Sequence, residues 1–140
     1  MNKERIVHKQ IFVNLPVQNL KRSMAFFEGL GFSFNPQFTN DQGACMVIGD
    51  NIHAMLLDRE FFRTFTHKQI ADTRSHTEAL ICISCDSDAE VDALVKQALA
   101  GGGSAPRPVQ DMGFMYYHGF EDLDGHTWEL AHMRGMPPAQ

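Results

Sequence analysis

The sequence has no run of apolar residues near the roughly 18 needed to cross a membrane, so no span is expected. Basic charge is also in short supply. Twelve Lys and Arg stand against 17 Asp and Glu, a formal charge of −5, with no basic cluster, which excludes the phosphate-reading face that nucleic acid requires. Cysteine is sparse. Cys45, Cys82 and Cys85 are an odd number in a chain without an export signal, and they read as reduced, mostly buried small hydrophobes. "CISC" has Cys-x-x-Cys form, but residues three apart on a strand point to opposite faces, so the pair meets only if the strand ends at Ile83 or Ser84. No second pair completes a zinc site. The histidines show no His-x-His or His-x-x-x-His spacing that puts two on one face, which leaves His8 and His132 as scattered surrogate ligands. "MNKERIVHKQ" lacks the apolar core and cleavage site of a signal peptide, so a cytoplasmic protein is expected. "GGGSAP" follows a helix instead of preceding one, so no helix N-terminus faces it to take a phosphate.

What is present is one pattern written twice. The chain is 140 residues long and 44% hydrophobic, enough for one domain with a sizeable core. "QIFVNLPV" reads as a strand, and "NLKRSMAFFEGLGF" as a helix capped by Asn19, with Leu20, Met24, Phe27 and Leu30 on one face and Gly31 as the stop. "ACMVIGD" and "IHAMLLD" form a hairpin around Gly49-Asp50-Asn51. After a partly helical connector, 59–76, "EALICISC" is again a strand and "DSDAEVDALVKQALAGGG" an amphipathic helix. "MGFMYYHGF" and "HTWELAHM" are two further strands around an Asp122–Gly125 turn. The repeat spacing is about 70 residues. It aligns Phe12 with Leu80, Asp50 with Asp122, and Leu57 with Glu129. Each half is too small to bury its own sheet, so two curled sheets around a cleft, with helices outside, are expected.

The repeat, with "LxxSxxFFxxLGF" opening one half and "D-x-D-G-x-x-x-E-L" closing the other, resembles the vicinal oxygen chelate superfamily of glyoxalases, bleomycin- and fosfomycin-resistance proteins and extradiol dioxygenases. Within it the chain is most similar to a bacterial glyoxalase-like subgroup. The resemblance covers residues 10 to 133 or so and implies an α+β fold of two βαβββ modules, 8–58 and 77–133, with a tail at 134–140. It also implies a homodimer. Family enzymes hold a divalent metal through His, Gln or Glu at four strand positions, which fall here on Phe12, Leu57, Leu80 and Glu129. Only Glu129 matches, and one carboxylate does not make a site that needs about three protein ligands. No cofactor is therefore expected.

Glu129 is the central candidate, as a general base or ligand-binding carboxylate or as a self-satisfied remnant. Tyr116 and His118 share a face of the neighbouring strand. In one register they join Glu129; in the other Tyr117 replaces them and His118 packs outward. The first is adopted, with His118 as a second catalytic candidate. Phe12, Asn14, Met46, Met55, Leu57, Leu80 and Tyr116 are expected to bind ligand. Trp128 and Leu130 should be core, and His126 exposed. Three functions compete. One is a metal-independent small-molecule binder of the resistance-protein type. Another is a lyase or dioxygenase with a non-standard set from Glu129, His118 and His132. The last is a protein–protein module built on Phe61, Phe62 and Phe65. The first is preferred, and lactoylglutathione lyase activity is not expected, because no metal would stabilise the developing charge.

Overall fold

In the computed structural model, which describes residues 4–139, the chain forms two four-stranded mixed sheets and three α-helices. In order these are β1 (Ile11–Val17), α1 (Leu20–Gly29), β2 (Ser33–Asn35), β3 (Gly43–Gly49), β4 (Ile52–Asp58) and α2 (Arg59–Arg63). Then follow β5 (Leu80–Ser84), α3 (Asp88–Ala100), β6 (Gln110–Asp111), β7 (Met115–Glu121) and β8 (Thr127–Met133). The sheet orders are β1-β4-β3-β2 and β5-β8-β7-β6. In each, the first strand lies parallel to the last and the other pairings are antiparallel. This is the two-module α+β arrangement expected. The edge strands β2 and β6 are too short to show alternation in the sequence.

Local chemistry sets the boundaries. The Asn19 side chain accepts the Arg22 N–H at 3.1 Å, and Gly31, at φ +101°, ends the first helix in a conformation that side chains disfavour. Ser87 caps α3 by accepting the Glu90 N–H at 3.0 Å, while the Glu90 carboxylate reaches back to the Asp86 N–H at 2.7 Å.

The chain groups into two compact units, one holding the first sheet and the connector to Lys68, the other holding the second sheet with residues 25–31, the second half of α1 and the two residues after it. In the first unit Leu15, Val17, Ala44, Met46, Ala54 and Leu56 are buried and share one face of the sheet by register. In the second unit Trp128 is fully buried. Phe27 meets it edge-on at 5.2 Å, and Phe26 lies 6.0 Å from Phe120. Such aromatic pairs add about 0.5–1.5 kcal/mol each beyond the area they bury. Val91, Val95 and Ala98 of α3 and Leu130 of β8 complete this core. Trp128 and Leu130 are core residues, as their alternation implies.

The β7–β8 turn is organised by a buried carboxylate. Asp122 Oδ1 accepts the backbone N–H groups of Asp124 and His126, and Oδ2 accepts the Trp128 indole N–H at 3.0 Å. Burial pushes this carboxyl above its usual range, while the His126 charge and the Trp128 hydrogen bond pull the other way. His126 is a correction to the sequence reading: it is buried, 1% exposed, with Nδ1 2.8 Å from Glu78 Oε1. The cause is distant in sequence. The Thr73 hydroxyl donates to the Asp124 carbonyl, and a Cβ at Gly125 would come within 2.6 Å of the Thr73 carbonyl oxygen, so the connector lies against this turn.

Beyond β8, Arg134 donates to both Asp88 and Asp111 and lies over the Tyr116 ring. Among the described residues no helix is long and apolar enough to cross a membrane.

Two outcomes follow for stability. Asp122→Ala strands the Trp128 indole N–H in the core and is expected to cost about 3 kcal/mol, read from the urea midpoint. Hydrogen bonds from Arg134 hold the Asp88 and Asp111 carboxyls below their usual range. Their contribution is complete above the ordinary aspartate pKa of about 3.9 and is lost as pH falls through the lower folded values. An Arg134→Ala variant should therefore show a shallower fall in stability than the parent below about pH 4.

Candidate ligand-binding site

The register of the second sheet decides what Glu129 faces. Gly119 pairs with Glu129 across β7–β8, and Cys82 pairs with it across β5–β8. Paired residues share a face, so Glu129 lies on one side with Leu80, Cys82, Tyr117, Glu121 and Thr127. On that side is a cavity of about 370 Å³, whose lining includes Leu80, Gln110, Tyr117, Glu121, Thr127 and Glu129. Gly119 lies bare beside the carboxylate: a Cβ there would stand 3.0 Å from the Trp128 carbonyl oxygen and 3.8 Å from Glu129 Cγ. Among the described residues the half-buried Glu129 carboxylate makes no hydrogen bond or ion pair. It is not a remnant that satisfies itself.

The expected Tyr116–His118–Glu129 cluster does not form. Tyr116 and His118 pair with His132 and Leu130 and so take the opposite face from Glu129. The Tyr116 hydroxyl donates to Asp92 on α3 at 2.6 Å, which pushes its pKa up to about 12. His118 Nε2 bonds the Arg107 carbonyl at 2.9 Å, and His118 still borders the cavity. The cause is one residue of turn. A four-residue Asp122–Gly125 turn would place His118 opposite Glu129, but the Asp122 N–H bonds the His126 carbonyl and the strand begins at Thr127. Adding His126 to the turn inverts the faces.

His132 lies with its Nδ1 2.8 Å from Asp88, and His8 is exposed near the start of the chain. Cys82 is exposed and Cys85 buried; burial, aided by nearby carboxylates, raises both thiols, Cys85 to about 11. Such thiols are protonated near neutrality and are poor nucleophiles.

In the first sheet Phe12 and Asn14 share a face with His53, Met55 and Leu57. Met46 does not join them. The β3–β4 register shifts between Gly49 and Val47, so Cys45 pairs with Met55 while Met46 pairs with Ala54 on the buried face. Continuing the Gly49–Ile52 pairing without that bulge would have put Met46 opposite Met55. The residue missed from the sequence is His53. It is 8% exposed, stacked with Phe12 at 4.8 Å, and its Nδ1 lies 3.9 Å from Cys45 Sγ, while Nε2 has no partner. Its only signal was a histidine inside the apolar run "IHAMLLD".

A match to the Glyoxalase/Bleomycin resistance protein/Dioxygenase superfamily spans residues 6–130. The chain belongs to that superfamily. Solved structures of the same fold include a hypothetical protein from S. aureus, 24% identical, covering 90% of this chain and 95% of that one at TM-score 0.76. A glyoxalase-related enzyme from Fulvimarina pelagi is 20% identical over 94% of each chain at TM-score 0.76. The fosfomycin resistance protein FosX from Mesorhizobium loti is 19% identical over 91% and 93%, at TM-score 0.66. No curated protein matches the chain.

Register also adjusts the four metal positions that the family resemblance implies. Glu129 lies two residues beyond Thr127, the partner of Leu80; the matching residue two beyond His53, the partner of Phe12, is Met55 and not Leu57. Phe12 and Leu80 carry no donor, and Met55 only a thioether. Among the described residues no group of three or more His, Cys, Asp or Glu could hold an ion. The side chains at these positions do not fit the usual divalent metal.

An unpartnered buried donor costs about 1–3 kcal/mol, which an apolar ring of similar size avoids. His53→Phe is therefore expected to raise stability by about 1 kcal/mol, measured by urea unfolding.

Proposed function

We propose that this superfamily member binds a small organic molecule in the cavity of the second sheet, through Glu129 and without a metal. The unpartnered, half-buried Glu129 carboxylate beside bare Gly119 carries the reading. A carboxylate taken partly out of water is costly unless it is compensated, and a ligand that donates a hydrogen bond supplies the compensation. Thr127 and Gln110 offer further polar contacts and Leu80 an apolar wall. The volume falls at the lower end of the roughly 300–1,000 Å³ typical of small-molecule sites. A small-molecule ligand is in keeping with the fold shared with the fosfomycin resistance protein FosX.

The reading is checked by titrating an aromatic and antibiotic library with and without a chelator. Saturable binding that survives chelation is expected, and Glu129→Gln should weaken it about tenfold, the worth of one charge-assisted hydrogen bond. Binding that appears only with added divalent metal would count against it.

A further inference from the structure

We infer that the ligand of this cavity is amphoteric, carrying a carboxylate that pairs with Arg107 and a cationic or hydrogen-bond-donating group that pairs with Glu129. The inference rests on the cavity being a binding site and adds the chemistry of what enters it. Arg107 borders the same cavity as Glu129 and Glu121, and among the described residues its guanidinium makes no hydrogen bond or ion pair. The backbone that carries it is constrained three times over. Pro106 and Pro108 flank it, fixing their own φ and pushing Arg107 towards extended backbone. The Arg107 carbonyl is bonded to His118 Nε2 at 2.9 Å, which ties this segment to β7.

Residues of opposite charge bordering one cavity, neither of them paired within the protein, select against ligands of a single sign. A purely cationic ligand satisfies Glu129 but brings a like charge towards the exposed Arg107 guanidinium. A purely anionic one satisfies Arg107 and leaves Glu129 uncompensated beside a like charge. A molecule with a group of each kind answers both. The planar fork of Arg107 suits a carboxylate, which it can grip through two parallel hydrogen bonds.

The test uses three probes of nearly the same shape: 4-(aminomethyl)benzoate, 4-methylbenzoate and 4-methylbenzylamine. Each is titrated into the full-length protein by calorimetry, with backbone amide shifts used to locate binding. The amphoteric probe is expected to bind at least about tenfold tighter than either singly charged one. Arg107→Gln, at an exposed position that does not threaten folding, should remove its advantage over 4-methylbenzylamine. Glu129→Gln should remove its advantage over 4-methylbenzoate. Equal affinity for all three probes, or an Arg107→Gln variant that binds them as the parent does, overturns the inference while leaving the cavity as a binding site. If no probe shifts the amides of Gln110, Thr127 and Glu129, the reading of the cavity falls and this inference with it.

Discussion

Asp122 accepts three N–H groups inside the β7–β8 turn, and the position of the candidate site depends on that arrangement. Two of the bonds close a turn of five residues between Glu121 and Thr127, and the third draws the Trp128 indole into the core. Once Trp128 is committed to the side occupied by Phe27, strand alternation sends Glu129 to the other. A carboxylate that burial would favour in its neutral form is thereby kept useful as an acceptor by the groups around it. The chemistry of the cavity is decided by a neighbouring acid that never lines it.

The two sheets follow one plan and fill it differently. Where the second sheet pairs Glu129 with Gly119, the first pairs Met55 with Cys45. Where the second has Thr127 opposite Leu80, the first has His53 stacked with Phe12. Of the equivalent positions, then, one sheet carries a charged group beside a glycine, and the other carries sulfur, aromatic ring and an imidazole nitrogen with no hydrogen-bond partner. The two modules share one frame, and only the second carries an acid at this position.

Much of this was legible in the chain. Asn19, Ser87 and Gly31 marked helix ends because capping is local chemistry, and the repeat exposed the two-module order because apolar periodicity survives divergence. Faces within a strand were also readable, as Trp128 and Leu130 show. What was not readable was pairing between strands. The extra turn residue His126 and the bulge between Val47 and Gly49 each move a register by one position, and one position exchanges Tyr116 for Tyr117 or Met46 for Cys45. The burial of His126 depends on residues 73–74, some 50 positions away, and no local pattern encodes such a contact.

The first long helix is divided between the two units. Residues 25–31 belong to the unit built on β5–β8, where Phe26 and Phe27 cover Phe120 and Trp128. A fragment limited to β5–β8 and α3 would lose Phe26 and Phe27 and leave one side of Phe120 and Trp128 uncovered.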